Sequence, residues 1–173
     1  MNYSDIKPFD MVNGQGVGVS LFVSGCNINC PGCFNKRAQN FNFGNTFTED
    51  TLEQILKTGA DYRIDHLSIL GGEPLDPANF EVVHLLACMW KEKYQNKPIW
   101  LWTGHSLDTM VLHRTSGIYQ YLDYIIDGPY IREQPTTKPF RGSENQRLLK
   151  KVPYSEKSNF DLQIGKNYFI IVS

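Results

Sequence analysis

Val17-Gly18-Val19-Ser20-Leu21-Phe22-Val23-Ser24-Gly25-Cys26-Asn27-Ile28-Asn29-Cys30-Pro31-Gly32-Cys33 begins as a β-rich run and ends as a loop carrying three thiols. The run Val17 to Val23 favours an extended strand. Ser24-Gly25 ends that strand, and Pro31-Gly32 bends the chain tightly between the second and third sulfurs. Three thiolates at CxxxCxxC spacing can converge on one inorganic centre, and no obvious local side chain supplies a fourth ligand. Iron–sulfur clusters are held by thiolates, and a cubane bound by three cysteines keeps one iron open for another molecule.

Three other chemistries use closely spaced cysteines. Structural zinc takes four ligands, commonly as two separated pairs, and a fourth would have to come from Cys88, His66 or His84 without knuckle-like spacing. Cys30-Pro31-Gly32-Cys33 has the spacing of a thioredoxin-type dithiol, which leaves Cys26 without a role. A disulfide-stapled fold needs cysteines along the whole chain, whereas three of the four here are bunched.

The 173 residues fit one domain, 1–173, with 150–173 expected as a C-terminal extension of unassigned role. With 17 basic and 18 acidic side chains the formal charge is -1, so no global pull toward nucleic acid is expected. The opening residues lack a basic stretch followed by an apolar one, and no run of apolar residues is long enough to span a bilayer. A cytoplasmic protein with reduced thiols and no membrane association is the expectation.

Along the chain, residues 1–16 read as polar and turn-rich, with Asn13-Gly14-Gln15-Gly16 an ordinary turn. Lys36 to Asn40 suggests a short helix and Asn40 to Asn45 a turn. Thr48 caps a helix Glu49 to Thr58, with Leu52, Ile55 and Leu56 at helical spacing. His66 to Leu70 reads as a strand running straight into Gly71-Gly72-Glu73-Pro74. A helix from about Pro77 to Tyr94 follows, with Phe80, Val83, Ala87, Trp90 and Tyr94 on one face. Its Cys88 lies off that stripe. Ile99 to Trp102 is the next strand, ending at Thr103-Gly104-His105. A helix capped by Ser106 and running to about His113, and a strand Tyr121 to Ile126 ending at Asp127-Gly128-Pro129, complete the regular part.

Alternating strands and helices imply parallel βαβ units with right-handed crossovers. Each proposed strand then ends in a small polar or glycine-bearing cluster: Ser24-Gly25-Cys26, Gly71-Gly72-Glu73, Thr103-Gly104-His105 and Asp127-Gly128-Pro129. In parallel α/β folds the C-terminal edge of the sheet is where ligands bind, so all four are expected to face one mouth. From 130 onward the regularity breaks. Arg141 to Arg147 reads as a polar loop, Leu148 to Val152 as a short helix or strand, and Phe160 to Ile164 with Tyr168 to Val172 as a hairpin about Gly165-Lys166-Asn167. Arg141, Arg147, Lys150 and Lys151 read as a solvated basic face.

LFVSGCNINCPGCFN, followed in order by LSILGGEPL, IWLWTGH, YIIDGPY and FRGSENQR, resembles the activating enzymes of anaerobic ribonucleoside-triphosphate reductase, small radical S-adenosylmethionine (SAM) proteins. The likeness covers residues 1–149. It implies an α/β fold, a partial (open) β/α barrel of parallel strands with an irregular C-terminal extension. Cys26, Cys30 and Cys33 would hold three irons of a 4Fe-4S cluster, and the amino and carboxylate groups of SAM would chelate the fourth. Gly71, Gly72, Glu73 and Pro74 match the motif that receives the SAM ammonium. Gly32 and Phe34 are the candidates beside adenine, and Thr103 and Asp127 are further candidate SAM contacts.

The resemblance also implies reductive SAM cleavage to a 5′-deoxyadenosyl radical, and a glycyl radical formed on the large reductase subunit. An electron donor such as a flavodoxin is the second expected partner. Two departures stand out. The segment that usually reads Asn-Gly-Pro-Gly-x-Arg is Asn13 to Gly18 here, without Pro or Arg, and His105 stands where Tyr is usual. A formate-lyase-type activase, a small modified-purine synthase, and a non-enzymatic iron–sulfur or zinc module remain open as alternatives.

Overall fold

A computed structural model describes residues 1–108, 117–158 and 161–172. In chain order its strands are β1 (Asn2–Asp10), β2 (Gly18–Val23), β3 (Asn45–Thr46), β4 (His66–Gly71), β5 (Ile99–Trp102), β6 (Tyr124–Asp127), β7 (Arg147–Val152), β8 (Leu162–Ile164) and β9 (Asn167–Val172). Two α-helices, α1 (Glu49–Gly59) and α2 (Pro77–Lys93), are described between them. The strands form one sheet in the order β3-β1-β2-β4-β5-β6-β7-β9-β8. Its centre, β2-β4-β5-β6, is parallel, as the alternation of elements implies. Both flanks are antiparallel, and the sheet does not close into a barrel.

Period-two alternation divides this sheet cleanly. Val19, Leu21, Val23, Leu67, Ile69, Ile99, Leu101, Ile125 and Leu149 join Leu52 and Ile55 of α1 and Val83, Leu86 and Trp90 of α2 in one buried core. The alternate positions Trp100, Ile126 and Leu148 form a second cluster with Trp102, Tyr124, Phe140 and Val172. There Trp100 stacks on Tyr124 at a centroid distance of 4.0 Å.

The helices start where their capping residues dictate. Thr48 accepts the Thr51 backbone N–H and donates its own to Thr51 Oγ1, a capping box made by two threonines. Asp76 accepts the Ala78 N–H ahead of Pro77 in the first turn of α2. Within α2, Val83, Ala87 and Trp90 are buried as the spacing predicts, joined by Asn79 and Leu86.

Three sequence expectations need correction. Residues 2–10 are a strand and not a turn-rich lead-in. Two register shifts, the second spanning Pro8, interrupt the β1–β2 ladder, and β1 mixes exposed with half-buried residues, so it shows neither a continuous apolar run nor clean alternation. The segment after 147 is less irregular than expected, since β7 and β9 continue the main sheet antiparallel to β6. The strand expected over Tyr121 to Ile126 begins at Tyr124, after a single 3-10 turn at Ile118–Gln120. The helix expected after Ser106, running to about His113, lies outside the described residues from 109 onward, as does Phe160.

Asn13 to Gly18 is more than an ordinary turn. The Asn13 carbonyl accepts from His66 Nε2 at 2.7 Å and from Ser68 Oγ at 2.5 Å, both rising from β4. A Cβ at Gly18 would lie 2.2 Å from His66 Nε2, so this close approach of backbone to imidazole requires glycine. Gly18→Ala is expected to cost about 1–3 kcal/mol by overpacking, read as a lower urea midpoint of the reduced, metal-free chain. Adding it to His66→Ala should cost less than adding it to the wild type.

His66 is fully buried, and burial holds its imidazole below the ordinary value of 6.5. The unfolded chain binds that proton before the native one does. Its contribution to stability is therefore full above about pH 6.5 and lost as pH falls toward the lowered native value. Urea midpoints should fall more steeply for wild type than for His66→Gln between about pH 7 and 5.5.

Candidate functional site

The parallel register aligns Val23 of β2 with Gly71 of β4, so the two strands release their loops side by side. The loops are then bonded to each other. Gly72 N donates to Val23 O and Glu73 N to Gly25 O, each at 2.8 Å, while Gly25 N reaches Ala38 O at 2.7 Å and Cys26 N reaches Gln39 O at 3.1 Å. A Cβ at Gly72 would collide with the Gly25 carbonyl, which is why two glycines can lie this close to the cysteine loop. Within that loop Cys33 N closes on Cys30 O at 3.1 Å, and Gly32 takes the positive φ that a Pro-Gly turn requires.

Two side chains that sequence reasoning missed complete the joint. Asn79, buried in the first turn of α2, donates through one amide nitrogen to Ser24 O at 3.1 Å, Gly25 O at 3.3 Å and Glu73 O at 2.9 Å. Asp76 caps α2 with one carboxylate oxygen and receives Asn27 Nδ2 on the other at 2.8 Å. A polar residue in the buried α2 stripe, two positions after its proline, was the available signal for Asn79.

Around this joint lies a cavity of ≈ 470 Å³. Cys26, Cys30, Cys33, Phe34, Gly71, Gly72, Glu73 and Thr103 all line it, together with Gly104, Gly128 and Trp102 from the later strand ends. Four strand ends therefore do meet at one mouth. Gly32, Pro74 and Asp127 do not line it. Gly32 turns beneath the Arg132 stem, and a Cβ there would lie 2.6 Å from Arg132 Cδ. Asp127 is occupied elsewhere: it accepts from Arg147 Nε at 2.9 Å, from Arg147 Nη2 at 2.5 Å and from Leu107 N at 2.9 Å. These bonds hold the Arg147 guanidinium above its ordinary pKa.

Glu73 is nearly fully buried, and burial pushes its carboxyl pKa up. Its Oε1 accepts from Leu75 N and Thr103 Oγ1, each at 2.9 Å, and its Oε2 from Gly104 N at 2.8 Å. A carboxylate offers about four lone-pair sites, so one on Oε2 stays free for a cation. Thr103 is spent on this brace, since its hydroxyl also accepts from His105 N. Phe34 stands 83% exposed at the rim, edge-on to Tyr130 at 5.5 Å.

The remaining wall comes from Pro129 to Gln146. Gln146 donates to Gly128 O and accepts from Gly142 N and Ser143 N. Ser143 Oγ accepts from Ile131 N and donates to Asn145 Oδ1, and Asn145 Nδ2 reaches Pro129 O. The loop thus folds by its own side chains and presents Tyr130, Phe140, Arg141 and Gly142 to the cavity. The solvated basic face expected from Arg141, Arg147, Lys150 and Lys151 is not formed: Arg141 lines the cavity and Arg147 pairs with Asp127 and Asp108.

The donor set suits an iron–sulfur cluster, which thiolates hold. The three cysteines are free, half-buried thiols at one cavity wall. Burial raises the Cys26 pKa, a cost that binding to iron would offset. Among the described residues no three His, Cys, Asp or Glu side chains are gathered as ligands of one ion. Asn79→Ala should lower stability by about 2–3 kcal/mol, because three buried carbonyls lose their donor. Thermal unfolding and iron bound per chain after anaerobic reconstitution should both fall.

The family described as a 4Fe-4S single cluster domain matches residues 12–149. The anaerobic ribonucleoside-triphosphate reductase-activating protein of Enterobacteria phage T4 is 40% identical over 148 residues, covering 86% of this chain and 93% of that protein. The proteins of that name from Haemophilus influenzae and Escherichia coli K12 are 38% and 36% identical over 149 residues, each alignment covering 84% of this chain and 96% of the relative. No solved structure matches. On the length and identity of these alignments, the chain belongs to the family of anaerobic ribonucleoside-triphosphate reductase-activating proteins.

Proposed function

We propose that this protein is a radical SAM activase that installs a glycyl radical on the large subunit of anaerobic ribonucleoside-triphosphate reductase. The observation that carries the reading is the hydrogen-bonded joint between the three-cysteine loop and Gly71-Gly72-Glu73, both lining one cavity at the C-terminal end of a parallel sheet. When bound, a 4Fe-4S cluster and SAM supply reductive cleavage of the sulfonium to methionine and a 5′-deoxyadenosyl radical, which takes a hydrogen from the partner's glycine.

The chain's own part is to bind, orient and shield. Cys26, Cys30 and Cys33 hold three irons, with no fourth protein ligand at the loop. The free lone pair of Glu73 Oε2 and the backbone beside Gly72 accept from the N–H groups of the SAM amino group. Phe34 and Tyr130 cover the rim, and Trp102 and Phe140 keep the cavity floor apolar, which limits water beside a reactive centre. Asp127 serves at a distance, holding Arg147 and the start of the Leu107 turn. The parallel strands and their helices correspond to a partial β/α barrel in one domain, and its open side suits a polypeptide substrate.

The reductase and an electron donor such as a flavodoxin are the proposed partners, in the cytoplasm, without nucleic acid or membrane. No helix among the described residues is long and apolar enough to cross a bilayer. Anaerobically reconstituted protein with dithionite and SAM should release 5′-deoxyadenosine and methionine in equal amounts. A glycyl doublet should appear by electron paramagnetic resonance only when the reductase is added. Cys26→Ala, Cys30→Ala and Cys33→Ala should each abolish both signals and lower the iron content. A doublet on a formate-lyase-type partner instead would favour the other activase class, and iron retained without SAM cleavage would favour a passive cluster protein.

A further inference from the structure

We infer that Arg141 is the carboxylate-binding residue of the cavity and holds the methionine carboxylate of SAM; this rests on the SAM reading above. Among the described residues that line the cavity, Arg141 is the one cationic side chain. Its Nη2 donates to the Val172 carbonyl at 2.5 Å, while its Nε is buried with no partner. Among the described residues no carboxylate lies within ion-pair distance of it. Glu144, which feels the Arg141 charge, is itself bound to Lys138 and Thr136. A half-buried guanidinium whose Nε is shut off from water without a partner, and whose one acceptor is a neutral carbonyl, is under-compensated, and an arriving carboxylate supplies the matching two-oxygen partner.

The position is fixed on both sides. Trp102 Nε1 donates to Phe140 O at 2.8 Å, and Gln146 Oε1 accepts from Gly142 N at 2.7 Å, so the residues flanking Arg141 cannot drift. Gly142 also abuts the aromatic residue that follows Cys33: a Cβ there would lie 3.7 Å from Phe34 Cε1. The cavity thus carries acceptors at Gly71 to Glu73 and a cation at Arg141, beside the same cysteine loop. That pairing of acceptors and cation suits an α-amino acid group, with its amino N–H groups on the first and its carboxylate on the second.

The test is equilibrium binding to the full-length, anaerobically reconstituted protein without reductant, comparing SAM with decarboxylated SAM. Arg141→Gln should weaken SAM binding at least about tenfold, Arg141→Lys should recover part of it, and decarboxylated SAM should bind wild type and Arg141→Gln alike. Iron content and circular dichroism of the variants, matched to wild type, establish that the fold is kept. SAM bound equally by wild type and Arg141→Gln, or both ligands weakened equally, would overturn the assignment while leaving the SAM reading intact. A wild-type protein that binds no SAM would refute that reading, and the assignment with it.

Discussion

Everything at this site depends on one pairing: the end of β2 and the end of β4 lie in parallel register, and their outgoing loops exchange backbone hydrogen bonds at Val23, Gly25, Gly72 and Glu73. Parallel strands release all their C-terminal loops on one side, so the cysteines and the glycine pair arrive together without any long-range search for contact. The cost is three carbonyls and two N–H groups crowded where no strand continues. Asn79 answers it from the first turn of α2 by donating to all three carbonyls, and Asp76 pins the cysteine loop to the same turn by accepting from Asn27 Nδ2.

The rest of the molecule serves to hold that edge still. On one face the apolar half of each central strand packs on α1 and α2, which fixes the helix whose first turn carries Asn79. On the other, the Trp100, Trp102, Tyr124 and Phe140 cluster supports the cavity and the loop 129–146. Glu73 ties the β4 end to the β5 end through Thr103 and Gly104, and Asp127 ties the β6 end to β7 through Arg147. Acidic residues at two strand ends thus act first as braces. Only the single free position on Glu73 remains for a ligand.

Much of this was legible before any coordinates. The central strands announced themselves by short apolar runs ending in glycine clusters, and the helices by Thr48, Pro77 and their apolar spacing. That the three cysteines and Gly71-Gly72-Glu73 would share one mouth was legible because parallel strands release their C-terminal loops on one edge. What stayed hidden was set by tertiary context. Strand β1 is polar and interrupted by Pro8, so its pairing with β2 leaves little mark in the residues. Asn79 looks like any helix-start polar residue until three carbonyls converge on it. Arg141 read as a surface charge because nothing in FRGSENQR shows that Gln146, Ser143 and Asn145 fold the loop inward.

The central claim is that the polypeptide leaves one iron of a three-cysteine cluster for the amino acid end of SAM. The most direct measurement is electron–nuclear double resonance on the reduced protein, with SAM isotopically labelled at its amino nitrogen and carboxylate oxygen. The account predicts hyperfine coupling of both labels to the cluster, showing that each is bound to iron. A cluster whose spectrum is unchanged by SAM, or one whose fourth iron carries a protein ligand, would contradict it.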